Sequence, residues 1–335
     1  MPIKKCFLAV AVLCTAFLNF VGASPATAAV SVKASPGCGA TASVVNGQET
    51  FPFTAAGETG SYIVEGPSGV SATDPLPLII DLHGYVETAA IQASFSALGS
   101  YGAAHGFITV TPQVTRAVQY WDVTPKSADQ KFLGALITHV TRTLCVDTHR
   151  VFVAGYSNGA FMASALACSY AGEIAAVATV AGIQAPLGCH PTRPVPVIAF
   201  HGTADPFVPY QGGVGPAAKK LPAPSGAGTL GAPQGSNAVK GISASLLPIP
   251  TEEARWASRN GCSKSPKTTN AASGVTLIAY RCPNNATVEL YRENGDGHIW
   301  PGSEAMVAIA SVVGKTTFAI SADQLIWKFF VGHPL

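Results

Sequence analysis

Residues 150–162 read RVFVAGYSNGAFM, and the fold turns on them. Arg150 to Ala154 is a short apolar run of the kind that fills a buried strand. From Asn158 to Tyr170 the Ala, Met and Leu content suits a buried helix. Between them, Gly155-Tyr156-Ser157-Asn158-Gly159 fits G-x-S-x-G. The pattern alone is weak, since three fixed positions in five recur by chance. Its place between strand and helix makes it informative. Such a turn pushes a serine Oγ out at the carboxyl edge of a sheet and needs glycine where side chains would strike neighbouring backbone. It also sets a helix N-terminus, with its partial positive charge, beside the hydroxyl. An ordinary glycine-rich turn is the competing reading.

Outward from this segment, the chain alternates strands and helices. Gly60 to Gly66 alternates like an early antiparallel strand. Leu76–Leu82, Gly106–Thr111, Ile174–Val180, Pro194–Phe200 and Thr287–Tyr291 are short apolar runs bounded by Gly and Pro, which read as buried parallel strands. Ser127 caps a helix from Ala128 to Leu144, with Phe132, Leu133, Leu136, Ile137 and Val140 on one stripe. Further helices are expected over Glu252–Arg259 and Ser321–Val331. The order predicts an α/β class with a mostly parallel central sheet flanked by helices. Gln211 to Pro250 breaks the pattern, being rich in Gly, Pro and Ala with Lys219, Lys220 and Lys240 as its charges. A loop that long inside a compact domain is a lid or substrate wall, or else a surface insertion.

A serine at such a turn needs a base and an orienting acid, and in this topology both follow it in the chain. Asp205 lies just past the strand Pro194–Phe200, at the carboxyl edge. Its other reading is a turn-former before Pro206. His298, in Gly297-His298-Ile299-Trp300-Pro301-Gly302, follows the last strand on a loop whose glycines would let it swing to the serine. Asp296 competes with Asp205, but lies too close in sequence to reach the far imidazole nitrogen easily. For the developing oxyanion, one backbone N–H is assigned to Asn158. The second falls to Tyr85, with Gly84 as the alternative. His83 and His201 each end a strand and support the site backbone; His105, His139, His149, His190 and His333 read as surface or capping residues.

The chain has 335 residues, 48% hydrophobic and 11% charged, with net charge +2. That composition excludes disorder, and no Lys/Arg stripe is present to bind nucleic acid. Lys4 and Lys5, the apolar run Cys6–Val21 and Ala26-Thr27-Ala28 read as a signal peptide over residues 1–28. Asn19 and the short run count against a membrane span. Leu13 before Cys14 counts against a lipid anchor. Cleavage would remove two lysines and bring the charge to zero. The protein is thus expected to be secreted, extracellular or, in a Gram-negative bacterium, periplasmic. Six cysteines remain: Cys38, Cys145, Cys168, Cys189, Cys262 and Cys282. An oxidising compartment favours three disulfides, with fifteen connectivities open. Local pairing favours Cys168–Cys189 and Cys262–Cys282, leaving Cys38 with Cys145. No C-x-x-C pair is present, and no metal or organic cofactor is implied. Asn285-Ala286-Thr287 is a glycosylation sequon.

Four segments together resemble one family: LHGY at 82–85, CVDTHRVFVAGYSNGAFM at 145–162, AFHGTADPFVPY at 199–210 and GHIWPG at 297–302. They are similar to the secreted poly(3-hydroxybutyrate) depolymerase-like and feruloyl esterases, a group that includes acetyl xylan esterases. The resemblance runs over about Pro75 to Leu335. It implies an α/β-hydrolase fold as a single domain over residues 29–335, a triad of Ser157, Asp205 and His298, and a substrate contact by Trp300. Gly37-Cys38-Gly39 resembles the amino-terminal cysteine motif of the feruloyl branch. Two features depart from the pattern. The insertion after Tyr210 blurs the pocket, and only 37 residues follow His298, too few for a polymer-binding module. The implied activity is serine carboxylic-ester hydrolysis on feruloyl or acetyl esters of plant cell-wall polysaccharide. A polyhydroxyalkanoate (3-hydroxybutyrate) hydrolase is the alternative within the class. A non-catalytic secreted binding protein on the same scaffold is the alternative outside it.

Overall fold

The computed structural model describes residues 1–2, 31–39, 45, 47–231 and 246–335. The expected signal peptide, beyond its first two residues, and positions 232–245 of the insertion lie outside them. From Ser31 onward the described chain is one unit.

Its strands are β1 (Gly47–Ala55), β2 (Glu58–Gly66), β3 (Leu76–Leu82), β4 (Ile108–Val114), β5 (Val146–Tyr156), β6 (Val177–Val180), β7 (Val197–Gly202), β8 (Lys267–Ala272), β9 (Val275–Tyr280) and β10 (Val288–Glu293). They form one sheet in the order β1-β2-β4-β3-β5-β6-β7-β10-β9-β8. From β4 to β10 every neighbouring pair is parallel, and both flanks are antiparallel. The helices are α1 (Ala89–Ser96), α2 (Leu98–His105), α3 (Ala128–Thr143), α4 (Asn158–Ser169), α5 (Ile249–Arg259), α6 (Ala310–Val313) and α7 (Ala322–Val331).

The central strands are apolar throughout because both faces are covered. On β5, Val151 and Val153 join one core with Phe132, Leu133, Met162 and Trp256 from α3, α4 and α5. The alternating Phe152, Ala154 and Tyr156 join a second core with Leu98 of α2 and Ile326 and Phe330 of α7. Side chains two residues apart share a face, so a doubly covered strand needs apolar residues at every position.

The strands and helices read from sequence are all present, with shifted ends. Three strands and the short helices α1, α2 and α6 have no counterpart in the sequence reading. β1 and β8 expose most of their side chains, so neither carries the apolar alternation that betrays a strand. The β1–β2 turn is Ala56-Gly57, with φ of 53° and 81°, a two-residue hairpin loop in which Ala replaces the usual Asn or Asp. Helix α1 serves a buried carboxyl group. Asp81 on β3 accepts hydrogen bonds from Gln92 Nε2 (2.7 Å) and Ser96 Oγ (2.6 Å), both on α1. Burial still pushes the Asp81 carboxyl up to about 7.

The disulfides are Cys38–Cys145, Cys168–Cys189 and Cys262–Cys282. The first ties the segment from Ser31 onward to the start of β5, where Ala34 also bridges Asp147. Among the described residues, no helix is long and apolar enough to cross a membrane.

Candidate active site

Ser157 sits between β5 and α4 with φ 55° and ψ −116°, a strained conformation for a residue bearing a side chain. Such strain costs about 1–3 kcal/mol and persists only where the surroundings over-determine it. Here the Ser157 N–H donates to the Val180 carbonyl of β6 at 2.8 Å. The flanking glycines are required by close approach. A Cβ on Gly155 would collide with the Gly159 carbonyl, and one on Gly159 with the Leu82 carbonyl. The turn therefore packs directly against β3, with no room for side chains.

The His298 Nε2 lies 2.8 Å from Ser157 Oγ, and its Nδ1 lies 2.6 Å from Asp205 Oδ2. With Asp205 ionised, Nδ1–H donates to the carboxylate and leaves Nε2 to accept the serine proton. Asp205 is 5% exposed and His298 4% exposed. Burial alone would raise the Asp205 pKa. The facing His298 and His201 and the Val208 amide outweigh it and hold the carboxyl below its usual range. The other carboxylate oxygen, Oδ1, accepts from the Phe207 and Val208 amides at 2.8 and 2.9 Å.

The histidine loop differs from the sequence-based expectation of a mobile arm. The His298 N–H donates to the Val313 carbonyl at 2.6 Å, and the Gly297 N–H donates to the Lys315 carbonyl at 3.0 Å. Tyr156 Oη donates to the His298 carbonyl at 2.8 Å. Gly297 is glycine because a Cβ would strike the Val313 carbonyl, not because the loop must swing. Asp296, the competing acid, lies 3.7 Å from Lys315 Nζ instead.

A carboxylate bears on the choice between Gly84 and Tyr85. Gly84 N–H donates to Glu87 Oε2 at 2.7 Å, which removes it from the choice. Among the described residues, no hydrogen-bond partner is found for the Tyr85 or Asn158 N–H. The adjacent Val86 N–H is fixed to the Gln119 carbonyl at 2.7 Å. The Asn158 side chain clamps Trp121, accepting from its backbone N–H (2.6 Å) and donating to its carbonyl (3.2 Å). Trp121 Nε1–H in turn donates to the His83 carbonyl at 3.0 Å. Sequence reasoning missed this clamp, although Asn158 itself was noted. His83 and His201 are supporting groups: His83 Nδ1–H donates to the Gly84 carbonyl, and His201 Nε2–H donates to that of Val208, each at 2.8 Å. Burial lowers both, His83 to about 4.

Trp300 is not at the site. It is 1% exposed in the second core, and its Nε1–H donates to Asp323 Oδ1 at 2.8 Å. The expected substrate contact is therefore corrected: the indole holds the histidine loop to α7. Two other aromatics take the neighbouring places. Phe207 packs on the His298 ring at 4.9 Å between centroids. Tyr85 Oη donates to the Pro222 carbonyl of the insertion at 2.8 Å.

That bond shows where the insertion goes. It leaves the acid loop with Gly215 N–H donating to the Phe207 carbonyl and Ala217 N–H to that of Pro206. Residues 219–231 then double back, with Leu230 N–H on Leu221 and Ala223 N–H on Gly228. Leu221 and Leu230, with Tyr120, pack against the pair Tyr85 and Val118. The described part of the insertion thus spans from the acid loop to the oxyanion loop.

Residues 124–221 match the phospholipase/carboxylesterase family of hydrolases, a stretch that contains Ser157 and Asp205. The chain is 28% identical over 246 residues to feruloyl esterase B of Piromyces equi, covering 70% of this chain and 42% of that one. It thus spans about two fifths of that relative's length. A probable feruloyl esterase C of Aspergillus niger is 30% identical over 207 residues, 59% of this chain and 72% of that one. Among solved structures, an acetyl xylan esterase from Aspergillus awamori superposes with a TM-score of 0.55 at 14% identity, over 85% of this chain and 99% of that one, a likeness of fold. The chain belongs to the feruloyl esterase family of α/β-hydrolases.

Proposed function

We propose that the protein is a secreted serine carboxylic-ester hydrolase acting on feruloyl or acetyl esters of plant cell-wall polysaccharide. The observation that carries this reading is the hydrogen-bonded series Ser157–His298–Asp205. Relatives named feruloyl esterases supply the substrate class. Export rests on the amino-terminal reading and is supported by the three disulfides, which persist in oxidising compartments.

Ser157 Oγ bonds to the ester carbonyl carbon while its proton passes to His298 Nε2. The carbonyl π electrons move onto oxygen, which receives the Asn158 and Tyr85 N–H groups. Each such donor is worth about 3 kcal/mol to the transition state. As the tetrahedral species collapses, the bond to the alcohol oxygen breaks and His298 returns the proton to the leaving group. Water then repeats the sequence on the acyl-enzyme and frees the acid. Asp205 holds the imidazole tautomer and balances its transient charge.

The test compares the protein with its Ser157→Ala variant on methyl ferulate and on 3-hydroxybutyrate oligomers. Ferulate release that is lost in the variant supports the proposal. Preference for the oligomers would move the enzyme to the polyester alternative. Folded protein that turns over neither substrate, and whose Ser157 a fluorophosphonate fails to label, would favour the non-catalytic alternative.

A further inference from the structure

Three consecutive peptide units follow His83 at the end of β3, and each is held in place. A Cβ on Gly159 would meet the Leu82 and His83 carbonyls, so this loop lies directly against the serine turn. In the first unit the His83 carbonyl accepts from Trp121 Nε1–H at 3.0 Å, and the Gly84 N–H donates to Glu87 Oε2 at 2.7 Å. In the second the Gly84 carbonyl accepts from His83 Nδ1–H at 2.8 Å and, at a longer 3.4 Å, from the Glu87 N–H. The third donates its Val86 N–H to the Gln119 carbonyl at 2.7 Å. The second unit ends in the Tyr85 N–H, the donor assigned above to the oxyanion. We propose that Glu87 is a positioning residue for this donor: it holds Gly84 by both backbone groups and so aims the Tyr85 N–H. The proposal rests on the esterase reading above and on Tyr85 as the donor.

The need for such a hold comes from the two residues beside the donor. Gly84 has no side chain to restrict its backbone. Rotation of the unit between Gly84 and Tyr85 would swing the N–H away from the serine. Glycine is required there by Glu87 itself, since a Cβ would lie 2.7 Å from Glu87 Oε2 and 3.1 Å from the Tyr156 ring. The carboxyl thus takes the space of a side chain on residue 84 and supplies the restraint that side chain would have given. On the other side, Val86 has φ 60°, an outlier for a β-branched residue. Such strain persists only where neighbouring contacts over-determine it. Here those contacts are the Gln119 carbonyl and the turn that Glu87 closes across Tyr85 and Val86. Without the carboxyl, the strain at Val86 favours reorganisation of the turn that carries the donor.

Glu87 can hold the turn without opposing the chemistry. It is partly buried, and loss of hydration pushes its carboxyl up to about 8; the Gly84 N–H opposes the rise and the Asp81 carboxyl adds to it. At neutral pH the group is therefore mainly protonated. Its Oε2 accepts from Gly84 as a carbonyl oxygen, and no full negative charge stands beside the developing oxyanion. A glutamine side chain offers the same acceptor in the same shape.

The test uses the full chain, with methyl ferulate for turnover and phenylboronic acid as the probe of the oxyanion hole. Ser157 Oγ adds to boron, its proton passes to His298, and a boronate oxygen takes the oxyanion's place. In Glu87→Ala, kcat is expected to fall about 10–100-fold and phenylboronate affinity about tenfold, with KM within about twofold of wild type, since a displaced donor is lost to the tetrahedral state alone. Glu87→Gln should restore both. Thr88→Ala removes the cap bond to the Ile91 N–H and disturbs the same segment without touching Gly84; it should lower the melting temperature and keep boronate affinity. Should Glu87→Ala fail to fold, Glu87→Asp, which withdraws the carboxyl by one methylene, carries the same expectation. Boronate affinity unmoved by loss of the Glu87 carboxyl, a Glu87→Gln variant as impaired as Glu87→Ala, or an equal loss in Thr88→Ala would overturn the proposal. Wild-type protein that binds phenylboronate without hydrolysing methyl ferulate would overturn the feruloyl substrate class, and the boronate arm would still decide Glu87. Wild-type protein that does neither would overturn the esterase reading and this inference with it.

Discussion

Asp205→Asn is the most informative single change, because the structure dictates which way the new amide points. The backbone N–H groups of Phe207 and Val208 both aim at Oδ1. If the variant's amide nitrogen took the place of Oδ1, it would confront two donors and strand both. Each unmade buried hydrogen bond costs about 1–3 kcal/mol, so the flipped orientation loses by about 2–6 kcal/mol. The amide NH₂ must therefore face His298, in place of Oδ2. Facing a donor, imidazole Nδ1 becomes the acceptor and its proton moves to Nε2. Nε2–H then meets Ser157 Oγ and cannot take its proton. The wrong tautomer in a serine triad costs about 10⁴ in kcat, which is about 5.5 kcal/mol of barrier. Methyl ferulate hydrolysis at fixed pH, with thermal melting to confirm folding, reads the loss. Asp296→Asn, whose carboxylate faces Lys315, is the control and should keep near-native kcat. A loss under tenfold in Asp205→Asn, or a larger loss in Asp296→Asn, would refute the assignment of the acid.

Asn158→Ala removes the clamp on both polar groups of the Trp121 backbone while keeping its own N–H; kcat on methyl ferulate should fall by about 10–100-fold, since the freed Trp121 N–H costs about 1–3 kcal/mol. Trp300→Phe should lower the melting temperature through the unpaired Asp323 and leave KM near native; a large KM rise would return the indole to the substrate. Removing Cys38–Cys145 by paired Ala substitution opens a loop of sequence separation 107, and should cost about 2–5 kcal/mol in denaturant titration. Asp81 is held protonated by burial, with its folded value raised to about 7. Its contribution is fully present below the unfolded carboxylate value of about 4 and is lost as pH rises through about 7, by at most about 4 kcal/mol. Melting temperature should therefore decline across that window, and Asp81→Asn should decline less; parallel curves for the two proteins would contradict the account.

The parallel centre of the sheet was legible because each of its strands must be apolar on both faces. Val151 and Val153 answer to one core and Phe152 and Ala154 to the other, so the run itself carries the information. The edges were not legible for the converse reason. Lys267 to Ala272 buries no full face, and only its pairing with β9 makes it a strand. The serine, acid and histidine could be placed because each follows a recognisable strand. What could not be read was the long-range pairing around them: Asn158 with Trp121, Tyr156 with His298, Tyr85 with Pro222. These join residues 37, 142 and 137 positions apart, and no local pattern encodes them. The glycines of the histidine loop misled for a related reason. Glycine marks both freedom and close approach, and only the Val313 carbonyl shows which applies at Gly297.

The strand order also sets how far the histidine loop has to reach. Ser157 leaves β5 and His298 leaves β10, with β6 and β7 between them. Three strand spacings of about 4.8 Å put their ends about 14 Å apart. From Glu293 to His298 the chain advances five residues, a reach of at most about 17 Å. The His298 side chain covers part of that distance, so the loop is held by its bonds to Val313, Lys315 and Tyr156 rather than by its length. Triad geometry is thereby fixed by the sheet and these bonds, as preorganised catalysis requires. Changes of substrate within such a frame have to come from elements that touch the site without belonging to the sheet. Two meet that description: the loop carrying Arg116 to Asp122, and the insertion fastened at Phe207 and Tyr85. Exchange there leaves the strands that carry the triad untouched.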